Sequence, residues 1–331
     1  MTWFEALTGF AESTPEQVRQ KLRVDGETLT SLVNGRTMAC GRLETPSLAE
    51  LRQRVGTNGP DGSKLSVREV VADVQAFHAD ASNAGALFQV ASQFNLLEMV
   101  SPRVTPEQGV GIYEGDHIQG PACAVAAGAG TIYRNYFAPV DGQVGQSEAH
   151  QIDCLADIGR ALGNADGDRW QMQNGYALAS YAGLIAISER LRAANDEERD
   201  ALRARLRIGI QWQTQVTLPG CEHRVSQAYC SALPVANSRY APELWEPFAR
   251  LVLEAAYEAT LCAAVLNARQ AGNNRLYLTL LGGGAFGNQP DWIADGLQRA
   301  LQRYHDRGID VAIVSHGESN ALVRQIVGVS P

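Results

Sequence analysis

Acidic side chains are concentrated in one stretch of about twenty residues, directly ahead of a segment that begins Gln119-Gly120-Pro121. The titratable residues in that stretch are Glu98, Glu107, Glu114, Asp116 and His117. Carboxyl groups beside a bound ligand orient water, stabilise an oxocarbenium-like centre or hold a cationic leaving group. A solvated loop with no chemical role explains the same composition, and that alternative stays open on the residues alone.

A glycine-rich segment follows the apolar run LYLTLLG and precedes a predicted helix that begins near Asp291. Its residues are Gly282, Gly283, Gly284, Ala285, Phe286, Gly287 and Asn288. Glycines let a backbone approach a phosphate closely, and the free N–H groups of a helix N-terminus favour an anion. The segment is neither a Walker loop nor the GxGxxG of dinucleotide enzymes. A tight turn between strand and helix is the alternative explanation.

Three further positions are candidates for ligand contact. Asn95 ends the apolar segment FQVASQFN and offers both a donor and an acceptor to a ribose hydroxyl, although it also suits a turn cap. Asp73 in EVVADVQAF can accept from an exocyclic amine such as that of adenine, or it faces solvent. The segment Asn174-Gly175-Tyr176 either lines a pocket or joins two helices.

Serine or cysteine hydrolases and metal sites find little support in the sequence. Cys230-Ser231 lacks a GxSxG context, and the six histidines show neither HxxxH nor HExxH spacing. The six cysteines are widely separated without a CxxC pair, which indicates reduced thiols. We therefore expect no metal and no cofactor.

Strands alternate with helices from about residue 65, and these elements must position the candidate residues. This order predicts an α/β fold of three layers, with a mixed, mostly parallel sheet flanked by helices. Residues 1–64 are predicted as an N-terminal cap with a helix from Thr14, a hairpin at Asn34-Gly35 and the turn-rich loop VGTNGPDGSK. Residues 65–331 form the main domain, with a mostly helical insertion at about 141–209.

Composition limits the partners of the chain. A net charge of -8 and a pI near 5.3 argue against a nucleic-acid partner. The N-terminus lacks the pattern of a signal peptide, and no run of about 18 uncharged apolar residues is present. We expect a cytoplasmic protein without a membrane partner.

Four of these segments, in this order, resemble the macrodomain superfamily and more closely its poly(ADP-ribose) glycohydrolase-like branch, over about residues 65–320. EVVADV resembles the segment whose acid meets adenine, and FQVASQFN the strand whose Asn touches the distal ribose. GVGIYEGDHIQGPACAVAAG resembles the glycine-bearing catalytic loop, and LTLLGGGAFGN resembles the second phosphate loop, with Phe286 beside the distal ribose. The resemblance implies ADP-ribose as ligand and a macrodomain-like fold. The predicted ligand-binding residues are Asp73, Gln93, Asn95, Glu98, Gly109, Gly111, Gln119, Gly282, Gly283, Gly284, Ala285, Phe286, Gly287 and Asn288.

The chain departs from that branch at its catalytic pair. The branch has a Gln followed by two glutamates, whereas Gln119 is followed here by Gly120 and Pro121. Asp116, Glu114 and Glu107 are placed to substitute, which resembles macrodomain enzymes that release ADP-ribose from arginine.

The resemblance thus predicts a hydrolase that cleaves the N-glycosidic bond of mono-ADP-ribosylated side chains, with arginine as the linkage. Its partners are ADP-ribose and an ADP-ribosylated protein. A non-catalytic ADP-ribose reader, a poly(ADP-ribose) glycohydrolase and another nucleotide-sugar enzyme are the alternatives.

Overall fold

Strands and helices alternate along the chain in the computed structural model, which describes residues 1–56 and 63–329. The strands are β1 (Leu22–Asp25), β2 (Thr28–Ser31), β3 (Thr37–Ala39), β4 (Arg42–Glu44), β5 (Ser66–Val71), β6 (Leu87–Ala91), β7 (Pro139–Val140), β8 (Gln143–Val144), β9 (Trp170–Gln173), β10 (Tyr176–Ala179), β11 (Gly209–Gln215), β12 (Arg224–Cys230), β13 (Arg275–Leu278) and β14 (Asp310–Ser315). The helices are α1 (Trp3–Thr8), α2 (Pro15–Lys21), α3 (Leu48–Val55), α4 (Val74–Ala79), α5 (Gln119–Ala126), α6 (Gly128–Tyr136), α7 (Ala156–Ala161), α8 (Tyr181–Ala193), α9 (Asp196–Arg203), α10 (Pro242–Ala271), α11 (Pro290–Arg303) and α12 (Ala321–Val329). The predicted loop VGTNGPDGSK lies mostly outside the described residues.

One seven-stranded sheet organises the main body, in the order β4-β11-β12-β6-β13-β14-β5. The strands from β12 to β5 pair in parallel, while β11 is antiparallel to both β12 and β4. Parallel strands buried on both faces are mostly apolar, as in LFQVA of β6, where Gln89 is the one polar residue. The predicted mixed, mostly parallel sheet is confirmed.

Helices cover both faces of this sheet. Successive side chains of a strand point to opposite faces, so the neighbours of adjacent residues identify the two layers. On β6, the ring of Phe88 stacks on His78 of α4 with a centroid separation of 3.9 Å. The side chain of Gln89 instead donates to the Thr260 hydroxyl of α10, at 3.0 Å. The α4 and α10 layers therefore lie on opposite faces, which gives the predicted three layers.

Helix α10 is the central element of one layer. Its 30 residues include nineteen that are buried, so the helix is enclosed on most sides. It is long and apolar enough to span a bilayer, but 89% of its most apolar window is buried inside the protein. These properties are those of a core helix.

The N-terminal segment packs as a small cap on the main body. Strands β1, β2 and β3 form an antiparallel sheet, and the hairpin between β2 and β3 around Asn34-Gly35 confirms the prediction from that dipeptide. Helix α2 starts after its N-cap Thr14, also as predicted. Buried side chains of the cap, including Phe4 and Leu29, share a hydrophobic cluster with Tyr113 and Tyr136. The cap therefore packs directly against the acidic loop and α6.

Two local features add to the predicted elements. The small-residue segment after Gln119 forms two helices, α5 and α6, which meet at Ala127. The backbone N–H of Gly128 donates instead to Thr217 Oγ1, at 2.9 Å, so the helical bonding is interrupted there. The segment 141–209 contains the hairpin β9–β10 in addition to its helices.

All six cysteines lie within the described residues and carry free thiols. Five of them are buried, and Cys221 is partly exposed. Burial raises the pKa of Cys40 and Cys230 to about 11.

Candidate functional site

A cavity of about 400 Å³ lies where the parallel strands β12, β6 and β13 end. Strand β6 pairs with β13 only as far as Phe88, but with β12 as far as Ala91. The sheet therefore opens beside the carboxyl end of β6, the kind of crevice in which α/β proteins bind ligands. The lining residues are Ala91, Ser92, Gln93, Glu98, Met99, Val100, Asp116, Ile118, Gln119, Gly120, Pro121, Tyr176, Ala232, Thr279, Leu280, Leu281, Gly282, Gly284, Ala285 and Phe286.

Gln119 fixes helix α5 to the open edge of β6. Its Nε2 donates to the carbonyl of Gln89 at 2.7 Å, and its Oε1 accepts from the N–H of Ala91 at 2.9 Å. The amide thus pairs with β6 where β13 has already turned away. Gln119 lines the cavity, as expected of a ligand-binding residue, but both of its polar atoms hold the scaffold.

The helix N-terminus that reaches the cavity is that of α5. Its N-cap residue, Ile118, provides no side-chain cap, and Gln119, Gly120 and Pro121 of its first turn line the cavity. The Ile118 N–H itself donates to Asp116 Oδ1 at 3.2 Å. The expected helix near Asp291 begins at Pro290, but its first turn does not belong to the cavity lining.

Glu98 is a buried carboxyl group in the cavity wall. The residue is 4% exposed, and its Oε1 has no hydrogen-bond partner. Burial raises the pKa of Glu98 well above its ordinary value, and the charge of Asp116 raises it further, against the opposing charge of Arg134. Unpaired buried carboxyl groups exist in the neutral form, because an isolated charge in the interior is very costly.

The segment before Glu98 is conformationally strained. Leu96 has a φ of +66°, which is unfavourable for a bulky residue. Its backbone carbonyl accepts from Nε of the buried Arg134 at 3.0 Å, and its side chain fills the space that a side chain at Gly209 would need. Packing around Leu96 therefore holds the turn that directs Glu98 into the cavity.

The three acids predicted to be catalytic do not lie together. Asp116 lines the cavity. Glu107 accepts from the N–H of Glu148 at 2.8 Å, and Glu114 accepts from the N–H of Trp3 at 3.1 Å. Neither Glu107 nor Glu114 belongs to the lining. The structure thus brings Asp116 together with Glu98 rather than with the other two predicted acids.

The predicted glycines Gly109 and Gly111 approach an anion that belongs to the chain itself. Glu12 Oε1 accepts from the N–H of Val110 at 2.9 Å, and its Oε2 accepts from the N–H of Gly111 at 2.7 Å. A Cβ at Gly109 would lie 2.5 Å from the Glu12 carboxyl carbon, so the absence of a side chain there permits this approach. These glycines lie outside the cavity lining, where Glu12 of the cap holds their loop.

The glycine-rich segment contributes four residues to the cavity: Gly282, Gly284, Ala285 and Phe286. Gly282 has a φ of +76°, and a Cβ there would collide with Ala232. Gly287 has a φ of +68° and packs against Ala236. Gly284, in contrast, has no positive φ, and a Cβ there would meet nothing within 4 Å. The turn therefore explains Gly282 and Gly287 but not Gly284.

The remaining predicted ligand residues have structural partners. Asp73 caps α4 by accepting from the N–H of Gln75 and Ala76 at 2.7 and 3.0 Å. Asn95 is buried and donates to Gln151 Oε1 at 2.8 Å, and Gln93 lines the cavity while its Oε1 accepts from the N–H of Met99 at 2.6 Å. Asn288 is also buried and donates to the carbonyl of Leu233 at 2.9 Å. Gly283 packs near Ile293 and is absent from the lining.

Tyr176 reaches the cavity from the insertion. It follows the turn Asn174-Gly175 between β9 and β10, and its ring lies 5.2 Å from that of Phe286, with its hydroxyl donating to the carbonyl of Met99 at 2.5 Å. Of the two roles open to this segment from sequence, lining a pocket is the one observed. Gly120, Pro121 and Ala232 are lining residues that sequence reasoning missed, because small apolar residues give no chemical signal.

In the described part of the chain, the cavity lining contains acidic residues but no basic ones. Of the described residues that line it, Glu98 and Asp116 carry carboxyl groups and none carries a basic side chain. Within the described residues, no group of three or more His, Cys, Asp or Glu side chains is placed to hold a metal ion. An anionic ligand would have to rely on backbone N–H groups.

No family model and no curated protein sequence matches this chain. Among solved structures, poly(ADP-ribose) glycohydrolase from Thermomonospora curvata is 15% identical, with a TM-score of 0.46, over 95% of this chain and 94% of that one. Poly(ADP-ribose) glycohydrolase from Deinococcus radiodurans in complex with ADP-ribose is 14% identical, with a TM-score of 0.47, over 87% of this chain and 94% of that one. At such identities and TM-scores, the activity of this chain has to be argued from its own cavity.

Proposed function

We propose that this chain is a hydrolase that binds ADP-ribose and cleaves the N-glycosidic bond of a mono-ADP-ribosylated side chain, with arginine as the linkage. One observation carries the proposal: a single cavity at the carboxyl ends of parallel strands combines glycine-rich backbone with two carboxyl groups, Glu98 and Asp116. The first feature suits a diphosphate, and the second suits chemistry at an anomeric carbon. The resemblance of four sequence segments to the macrodomain superfamily points to the same ligand.

The diphosphate is assigned to the backbone between Gly284 and the start of α5. Gly284 faces open space, and no side chain caps the first turn of α5. Exposed N–H groups at a helix N-terminus bind phosphate without a basic residue. The aromatic pair Tyr176 and Phe286 offers an apolar surface to the ribose.

The arginine linkage is supported by the acidic character of the cavity. A guanidinium is always cationic and is recognised by carboxylates through charge-assisted hydrogen bonds. Asp116 uses Oδ1 to accept from Ile118, so we assign Oδ2 to the substrate or to the attacking water.

The experiment that tests the function combines binding with turnover. ADP-ribose titrated calorimetrically into the full chain should bind, and arginine-, glutamate- and serine-linked mono-ADP-ribosylated substrates should be incubated beside poly(ADP-ribose). Release of ADP-ribose from the arginine-linked substrate is the expected result. Tight binding without any turnover would instead establish a reader, release from polymer alone would establish a polymer glycohydrolase, and absence of binding would end the ADP-ribose proposal.

Asp116 has its own test. We expect Asp116→Asn to lower kcat by about 10²–10⁴-fold, the usual contribution of a general base, while the ADP-ribose Kd changes by less than about tenfold. The variant keeps an oxygen that accepts from Ile118 N, so the turn is preserved. Glu189→Gln, at an exposed position of α8, is the matched control. If Glu114→Gln or Glu107→Gln abolished turnover while Asp116→Asn did not, the base would be assigned to the acids outside the cavity.

A further inference from the structure

We infer that Glu98 is the proton donor of this cavity, a neutral carboxylic acid that protonates the leaving side-chain atom. The inference rests on the proposed hydrolase function and deepens it. From sequence, Glu98 is predicted only to contact the ligand, and the predicted catalytic acids are Asp116, Glu114 and Glu107.

The position of Glu98 suits contact with a ligand. Glu98 lies in the cavity wall beside the first turn of α5, and a Cβ at Gly120 would collide with Glu98 Oε2 and with the carbonyl of Ala91. Gly120 thus leaves room for the Glu98 carboxyl group at the point where β6 and α5 meet. Catalytic acids need this kind of contact with a ligand-sized cavity.

One oxygen of the Glu98 carboxyl group has no structural partner. Oε1 of Glu98 is buried and unpaired, in contrast to Glu258, a buried glutamate paired with arginines. A buried polar atom without a partner carries a free-energy cost. Such a cost calls for an explanation, and a protonated carboxyl aimed at substrate supplies one.

The backbone around Glu98 is held by hydrogen bonds. The N–H of Glu98 donates to the Tyr113 hydroxyl at 3.1 Å, and the next N–H, of Met99, donates to Gln93 Oε1 at 2.6 Å. Together with the strained Leu96, these contacts fix the backbone on both sides of Glu98. A preorganised acid of this kind loses little entropy on reaction.

The charges around Glu98 agree with a proton-bearing group. Burial has the largest influence on the pKa of Glu98 and raises it. The charge of Arg134 lowers this pKa, and that of Asp116 raises it. The other titratable groups coupled to it are neutral near pH 7, because burial also raises their pKa values: Tyr113, Cys123, Tyr176 and Tyr229. The two carboxyl groups of the cavity thus differ in environment, which is how acid and base roles are separated.

The proposed step is balanced between these two groups. The oxygen of a water molecule bonds to the anomeric carbon, and the bond from that carbon to the side-chain nitrogen breaks, with its electron pair leaving on the nitrogen. Glu98 gives its proton to that nitrogen and becomes a carboxylate, while Asp116 takes a proton from the attacking water. Exchange of protons with solvent then restores the starting protonation states of both carboxyl groups.

The test is Glu98→Gln, which keeps shape and removes the acid. We expect kcat for the arginine-linked substrate to fall by about 10²–10⁴-fold, with little change in KM or in ADP-ribose Kd. Turnover of an aryl ADP-riboside, whose phenolate leaves without protonation, should be largely retained. Glu189→Gln is again the control. This difference between leaving groups is something that a merely structural role would not produce.

The failures are distinguishable. A wild-type chain without turnover contradicts the hydrolase proposal, and with it the proton donor. Wild-type turnover with equal activity in Glu98→Gln, or with equal loss on both substrates, overturns the role of Glu98 alone. If the variant does not fold, infrared spectroscopy of the wild type decides: a protonated carboxyl band at neutral pH, absent when Glu residues are isotopically shifted, supports the proposal. The lack of such a band contradicts it.

Discussion

Gly284 and Gly282 are close in sequence but are required for different reasons. Gly282 is needed by the turn, because its φ of +76° and its packing against Ala232 exclude a side chain. Gly284 has neither constraint and faces the cavity. The turn therefore accounts for Gly282, whereas Gly284 stays available to the proposed phosphate.

We predict that Gly284→Ala leaves the melting temperature within experimental error but weakens ADP-ribose binding at least tenfold, about 1.4 kcal/mol. Its methyl group would occupy the place where the backbone is proposed to approach the diphosphate. Gly282→Ala should instead lower the melting temperature, because the left-handed conformation costs an L-residue about 1–2 kcal/mol even before the collision. Thermal unfolding and calorimetric titration of both variants are the measurements. Unchanged binding in Gly284→Ala would mean that the segment is only a turn.

At the scale of elements, helix α10 depends on one buried acid. Glu258 is 0% exposed and contacts Arg52 of α3 at 2.6 Å, Arg299 of α11 at 2.7 Å and Arg303 of α11 at 2.9 Å. Asp200 of α9 shares two of these arginines. The carboxylate therefore ties three helices together, and the arginines lower its pKa although burial acts in the opposite direction.

We predict that Glu258→Ala lowers the free energy of unfolding by about 3–5 kcal/mol, since it leaves several guanidinium groups without a buried counter-charge. Glu246→Ala is the matched control on the same helix. Its partner Arg250 lies at 2.7 Å in a partly exposed i,i+4 pair, so the loss there should be about 0.3–0.5 kcal/mol. Denaturant unfolding of both variants measures the difference. Equal losses would show that the buried network has no special weight.

For the whole molecule, the sequence predicted the architecture better than the site. Periodic apolar segments and the Asn34-Gly35 turn led to the correct sheet type and hairpin, since those patterns act locally. Of the predicted site, Gln93, Glu98, Asp116, Gln119 and part of the glycine-rich segment meet in one cavity. The burial of Glu98 and the contact of Glu12 with Gly111 depend on residues far apart in the chain, which no local pattern records.

At the scale of the whole fold, His78 contributes to the expected pH dependence of stability. Burial lowers the pKa of His78 from 6.5 to about 4, and its ring bonds to Val74 O at 2.7 Å and to Gln227 Nε2 at 3.0 Å. His223 also acts downward on this pKa, and Asp73 acts upward. The folded chain therefore keeps the ring neutral at pH values where the unfolded chain protonates it.

We predict that stability is lost as the pH falls from about 6.5 to about 4, by up to about 3 kcal/mol from this group. His78→Gln should have a shallower acid limb than the wild type, although its stability near neutral pH is lower. Urea unfolding at several pH values compares the two slopes. Glu98 has the opposite effect. Because its pKa is raised in the folded chain, stability falls as the pH increases above the ordinary pKa of a glutamate. Parallel acid limbs in both proteins would contradict the assignment to His78.

The contact between Glu12 and the loop at Val110 and Gly111 has a consequence for how related sequences diverge. A side chain at position 109 would meet the Glu12 carboxyl carbon at 2.5 Å, and one at position 111 would meet its Oε2 at 2.7 Å. A larger residue can therefore replace either glycine only if residue 12 becomes shorter or moves. Glu12 can be replaced by a residue without a carboxylate only if other acceptors bind the two backbone N–H groups. Positions 12, 109 and 111 should consequently covary across homologues, although about a hundred residues separate them in the chain.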